Sequence, residues 1–187
     1  SILIKPLEKI KFLCENRKKQ IAFKMKTSAG ILVYRYKNNQ LEILLVHPGG
    51  PFWRKKDKDS WSIPKGESQE NEELFSVALR EFKEETGLNL SEEDKKRIFY
   101  LGTVKNPRKI VHLYALEKDF GDNLKLKSIP SEIEWPLKSG KKITFPETDK
   151  IGYFNSKQAR IKLVKYQKSV LDLLKKFLKN KNIKNHE

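Results

Sequence analysis

The sequence predicts an α/β domain, and three observations carry that prediction. Two β-branched, apolar runs stand close together after residue 26. A helical run with an acidic face follows in the middle of the chain, and a long helix with regular apolar positions closes it. At 187 residues the chain suits one well-cored domain better than two.

The elements read in order as follows. In residues 1–24, Leu7, Ile10, Leu13 and Cys14 fall at helical spacing, so this segment is either a helical extension or a non-native leader. The main domain is expected over residues 25–180, with a frayed tail at 181–187. Thr27–Tyr36 (TSAGILVYRY) and Leu41–His47 (LEILLVH), separated by KNNQ, predict a hairpin. HPGGPFW is a loop by its Pro and Gly content, and RKKDKDS extends it as a charged excursion. Trp61–Glu67 (WSIPKGE) is a short extended piece ending in a turn. A helix is predicted from about Asn71 to Thr86, with Gly87 as the left-handed stop. Strands follow near Arg97–Lys105 and Ile110–Glu117. A long connection through Pro130 and Pro136 leads to a short strand in FPETDKIGYF, and a single helix is predicted from Gln158 to Lys179.

Composition narrows the function classes. No apolar stretch approaches the roughly 20 residues a membrane helix needs, and no secretion signal is evident at the amino terminus. A single cysteine excludes an intramolecular disulfide and a multi-cysteine zinc site. A cytoplasmic setting is the simplest reading. The net charge of +16 is spread over the whole length, with clusters at Arg17–Lys19, Arg54–Lys58 and Lys175–Lys184. Such a field attracts polyphosphates or nucleic acid, but by itself specifies no chemistry.

The chemistry lies in the central helix. Leu74, Ala78 and Phe82 recur every four residues, flanked by Phe75 and Leu79, and define the face that packs on the sheet. Glu81, Glu84 and Glu85 stand at i, i+3 and i+4 on another face. Like charges at that spacing repel, and a bound divalent cation offsets the repulsion. Oxygen donors of this kind suit Mg²⁺, with Mn²⁺ as a substitute. His47, His112 and His186 lack close ligand spacing and are not expected to bind metal.

The segment GESQENEELFSVALREFKEETGL, Gly66 to Leu88, resembles the Nudix box along its full length. That pattern is Gly, five residues, Glu, seven residues, Arg-Glu-apolar-any-Glu-Glu-any-Gly-apolar. Gly66, Glu72, Arg80, Glu81, Phe82, Glu84, Glu85, Gly87 and Leu88 fill it here. A chance match in a chain this size is on the order of 10⁻⁷. Asn71 stands where many members carry a second glycine. The resemblance implies a Nudix α/β/α sandwich with a mixed sheet, in which the box forms a loop-helix-loop. It further implies that Glu81, Glu84, Glu85 and the Gly66 carbonyl hold the metal, and that Arg80 pairs with Glu72 or a neighbouring carboxylate to keep loop and helix in register. The cation neutralises phosphate charge, acidifies a water and aligns nucleophile with leaving group.

The lead-in sequences TSAGILVYR, LLVHPGGPFW and WSIPKGE are also similar to Nudix enzymes. Glu147 resembles the downstream glutamate that many members bring to the site as general base, with Glu132 and Glu134 as weaker candidates. Lys65 is placed to meet a phosphate. Trp53, Trp61 and Trp135 are candidate platforms for a base, and Arg54, Lys55 and Lys56 candidate contacts for distal phosphates. The tryptophan shortly before PKG is similar to the diadenosine-polyphosphate hydrolase branch. A dinucleoside polyphosphate or nucleoside triphosphate is therefore the expected substrate, against two alternatives: the 5′ end of an RNA, and nucleotide binding without catalysis. The sequence leaves the oligomeric state open.

Overall fold

The computed structural model describes residues 25–184; the extension or leader expected at residues 1–24 lies outside them. The elements in chain order are β1 (Lys26–Lys37), β2 (Gln40–Pro48), β3 (Lys65–Glu67), α1 (Leu74–Thr86), α2 (Glu92–Arg97), β4 (Phe99–Asn106) and β5 (Lys109–Glu117). After them come β6 (Pro130–Glu134), β7 (Lys142–Pro146), β8 (Thr148–Asn155), α3 (Ser156–Lys162), a 3₁₀ turn at Lys165–Gln167 and α4 (Val170–Lys184).

Five strands run in the order β4-β5-β1-β2-β8, and β3 joins the same sheet through β1. The β1–β5 pair is parallel and the others are antiparallel, so the sheet is mixed. The apolar run Ala29–Tyr34 is buried without interruption because β1 is covered on both faces. Ile31 and Val33 face α1 with Val77, Ala78 and Phe82. Leu32 and Tyr34 face the opposite layer with Leu163, Val170, Leu171 and Leu174. Alternation along one strand thus serves two cores, which gives the α/β/α sandwich.

Along β1, partners change between the two halves. The C-terminal half pairs with β2, from Tyr34↔Ile43 to Lys37↔Gln40. The N-terminal half pairs with β3, through Ser28↔Glu67, Ala29↔Gly66 and Gly30↔Lys65. The start of the box is therefore built into the sheet rather than hung from it.

Three expectations are revised. The central helix begins at Leu74 rather than Asn71: Asn71 has a positive φ of 61°, and Glu73 caps the helix by accepting the Ser76 N–H. The single terminal helix is two helices. Leu163 and Val164 are extended, and the backbone of Trp61 hydrogen-bonds to Lys162 and Val164 on either side of Leu163, a tertiary pairing that overrides the helical periodicity. The second of these helices continues to Lys184, into the tail expected to fray. Within the long connection lies an antiparallel hairpin, β6–β7. Among the described residues no helix is long and apolar enough to cross a membrane.

Candidate active site

The site forms where β3 meets the side of α1. Pairing of β3 with β1 sets Gly66 so close to the helix that a Cβ there would run into the Glu81 carboxyl group. A larger residue here would displace the Glu81 carboxyl group. One residue earlier, the Lys65 N–H donates to Glu85 Oε2 at 3.1 Å. Gly87 ends α1 with φ 72°, the left-handed stop read from the sequence.

Glu81 and Glu85 are only 9% and 7% exposed. Burial pushes the Glu81 carboxyl above its ordinary range, with Arg80 opposing the rise. Burial acts more strongly on Glu85 and raises it to about 7; Lys65 pulls it down, while Glu147 and Glu81 push it further up. For Lys65, burial disfavours the ammonium, but Glu85, Tyr166, Glu81 and Glu147 reverse that and its pKa moves up. Lys65 is thus a cation held among carboxylates. Glu84 is more open, with its side chain 34% exposed.

Arg80 connects the whole box. Its Nε and Nη2 donate to the two oxygens of Glu72 at 3.0 and 3.1 Å, a bidentate pair. Glu72 also accepts the Gln69 N–H, so loop and helix are held in register. Nη1 donates to Glu81 at 2.7 Å and Glu84 at 3.1 Å. The resemblance gave Arg80 either Glu72 or a neighbouring carboxylate as partner; here it engages Glu72, Glu81 and Glu84 at once.

The donor set suits a hard divalent cation: three carboxylates on adjacent turns, two of them desolvated, with the Gly66 backbone alongside. Among the described residues no three acidic or imidazole side chains converge into a ready cage. Arg80 and Lys65 provide the counter-charge in this arrangement.

Glu147 is exposed, and its charge acts on Lys65, Glu81 and Glu85. Its backbone is fixed on both sides: Glu147 N–H donates to Ile129 O at 2.9 Å, and Gly49 N–H donates to Glu147 O at 2.8 Å. Glu132 and Glu134 are engaged elsewhere, pairing with Lys142 at 2.8 Å and the Gly140 N–H at 2.6 Å on the hairpin.

The tryptophans divide. Trp61 is 5% exposed and belongs to the core, edge-on to Phe154, with its Nε1–H donated to Asp57. It presents no surface to a ligand, which corrects the expectation of a substrate contact; its burial follows from the pairing with Leu163. Trp53 is half-buried, and the Lys56 ammonium lies 4.7 Å from its ring centroid. Arg54 and Lys55 are exposed. Trp135 follows β6 directly and meets Phe52 of the loop after β2, ring centroids 4.7 Å apart and edge-to-face. Phe145 of β7 lies against Gly50 of the same loop.

Tyr166 and Gln167 escaped sequence reasoning. Gln167 is fully buried, accepting the Ile63 N–H at 3.0 Å and donating to Tyr166 Oη at 3.0 Å. It ties the strand entering the box to a tyrosine beside Lys65. Both lie in a region read as continuous helix, so nothing in the local pattern marked them.

The family model described as NUDIX domain matches residues 24–168. The chain belongs to the Nudix family. It is a Nudix hydrolase, a pyrophosphohydrolase acting on phosphorus-containing anhydrides, and its sheet with helices on both faces is the Nudix sandwich. Members of this family generally use divalent metals. Its fold is similar to that of a C. elegans Ap4A hydrolase in a binary complex, at 20% identity and TM-score 0.56, covering 83% of this chain and 99% of the other. A second similar structure is the NUDIX domain of Shewanella oneidensis NrtR complexed with ADP ribose, at 16% identity and TM-score 0.55, covering 90% and 97%. A third is the MutT protein from Methanosarcina mazei Go1, at 16% identity and TM-score 0.54, covering 86% and 99%. No curated protein matches the sequence.

Proposed function

We propose that this Nudix hydrolase cleaves a phosphoanhydride bond in a nucleotide-type substrate with Mg²⁺, for which Mn²⁺ substitutes, and that the preferred substrate is a dinucleoside polyphosphate, with a nucleoside triphosphate next. The observation that carries the reading is Lys65 held in the field of Glu85, Glu81 and Glu147, with Gly66 against the Glu81 carboxyl group. When bound, the cation supplies charge neutralisation and an acidified water. Glu81, Glu84, Glu85 and the Gly66 carbonyl would hold it. Lys65 takes a phosphate oxygen, Glu147 accepts the proton, and Arg80 with Glu72 keeps the box rigid. The aromatic pair Phe52–Trp135, with Trp53 nearby, offers faces and edges on which a base can stack.

Fold relatives that include an Ap4A hydrolase and a NUDIX domain complexed with ADP ribose support a substrate with a diphosphate linkage. The exposed cations Arg54 and Lys55 beside that loop support a second reading, a triphosphorylated RNA 5′ end. A reducing, cytoplasmic setting belongs to the proposal on the strength of the single cysteine.

The test is product analysis with Mg²⁺ on diadenosine tetraphosphate, ATP, ADP-ribose and 5′-triphosphorylated RNA, beside Glu84→Gln. Turnover of diadenosine tetraphosphate ahead of the others, lost in the variant, is the expected result. Preference for the RNA, steep in salt, would replace the substrate reading. No metal-dependent turnover of any of the four would overturn it.

A further inference from the structure

We propose that His47 is a positioning residue that ties the substrate loop, residues 49–60, to β8, the strand that directly follows Glu147. The proposal rests on the reading above in taking this loop as the one that meets substrate. His47 ends the buried run of β2 and is 0% exposed. Its Nε2 lies 2.8 Å from the Lys56 carbonyl oxygen, and its Nδ1 lies 2.6 Å from Asp149 Oδ1. A carbonyl only accepts, so Nε2 carries hydrogen. On the other side one proton lies between imidazole and carboxylate, and the pair is neutral overall whichever atom holds it. A buried histidine with both nitrogens engaged in this way is rigid in ring plane and tautomer.

The backbone is shaped to make this tie. In the β2–β8 ladder His47 pairs with Lys150 and Pro48 with Thr148, so Asp149 is the extra residue of a β-bulge. Bulges re-aim side chains, and this one turns Asp149 onto the imidazole. Two residues before Asp149 is Glu147, whose carbonyl accepts the Gly49 N–H at the start of the same loop. The loop is therefore fastened at Gly49 by backbone and at Lys56 through His47. Between the two fastenings lie Phe52, which meets Trp135, and Trp53, which packs under Lys56. Asp57 is held separately by Trp61 Nε1–H and Lys162, so loss of the His47 fastening releases the segment from Gly50 to Lys56.

This arrangement predicts a separation of binding from chemistry, because His47 touches the loop and none of the metal-side carboxylates. The variants are His47→Phe, which keeps a flat ring and removes both hydrogen bonds, His47→Gln, which keeps an N–H able to reach the Lys56 carbonyl, and Asp149→Ala. Hydrogen–deuterium exchange of the full chain is read for residues 49–60, with β1 and β5 as internal controls, and KM and kcat are measured on diadenosine tetraphosphate. His47→Phe is expected to speed exchange in the loop about tenfold and raise KM about tenfold, with kcat within about twofold. His47→Gln should recover most of both. Unchanged loop exchange, or a fall in kcat at constant KM, would overturn the proposal. Should His47→Phe fail to fold, Asp149→Ala carries the same test, since Asp149 is partly exposed. Exchange needs no substrate: a loosened loop in a protein that ignores diadenosine tetraphosphate would refute the substrate and leave the tie standing.

Discussion

Two neighbouring helices each bury carboxylates, with opposite outcomes. On α2, Asp94 is 2% exposed and fully provided for: it accepts the Ser91 N–H at 2.9 Å in a capping box and pairs with Arg97 at 2.7 Å and with Lys118. Its partners, Lys118 first, hold its pKa far below the usual carboxylate range. On α1, Glu85 is almost as buried, yet among the described residues its one hydrogen bond is the Lys65 N–H, and burial raises it to about 7. The fold satisfies the first carboxylate itself. It leaves the second short of positive charge, which is the condition of a residue reserved for something else.

The sharpest way to break this comparison is to neutralise one member on each side. Glu85→Gln is expected to cut kcat by about 10²- to 10⁴-fold while moving the Tm of the metal-free protein by less than about 2 °C. Asp94→Ala should do the reverse, costing about 2 kcal/mol of stability with kcat unchanged. A thermal melt and a steady-state assay on each variant check both halves. Equal damage to stability from the two substitutions would erase the distinction.

The pH dependence sharpens it further. Glu85 has an unfolded pKa near 4.5 and a folded one of about 7. The metal-free folded protein thus retains a proton that the unfolded chain gives up, so the stabilising contribution of Glu85 is full below about 4.5 and lost as the pH rises through 7. Asp94 has its folded pKa depressed below 3.8, so its contribution is present above that value and lost as the pH falls beneath it. Mg²⁺ requires the ionised carboxylate. Calorimetry in buffers of different ionisation heat should find proton release on Mg²⁺ binding at pH 6 and much less at pH 8. The smallest expected effect belongs to Glu132→Gln: because Lys142 already occupies that side chain, kcat should stay within about twofold in the same assay.

The central helix and the sheet beneath it were legible because their signals are local and redundant. Leu74, Ala78 and Phe82 mark the packed face, Gly87 the stop, and the glutamate spacing the candidate site. What escaped reading depended on distant partners or carried no apolar stripe. In the hairpin, Ser131, Ile133, Ile143 and Phe145 are only half-buried and alternate with exposed residues, so no hydrophobic run announced it. Helix α2 has six residues and no apolar face; its one cue was Ser91 followed three residues later by Asp94. The break after Lys162 is imposed by Trp61, about a hundred residues earlier. The same contact explains why Trp61, in sequence the image of a ligand platform, lies inside. His47 shows the converse: absence of ligand spacing spoke against metal, but only the bulge at Asp149 reveals what the residue does instead.

The hairpin is pinned at both roots. Ile129 N–H donates to the Glu84 carbonyl and Ile129 O accepts from Glu147, which closes the base of residues 130–146 like a clasp. Everything beyond the clasp is an interchangeable cassette. Lengthening or replacing its tip adds little closure entropy, because that cost grows only with the logarithm of length, and neither Glu84 nor Glu147 need move. Redesign can therefore proceed by exchanging the hairpin tip while the backbone at Glu84 and Glu147 keeps its hydrogen bonds to Ile129.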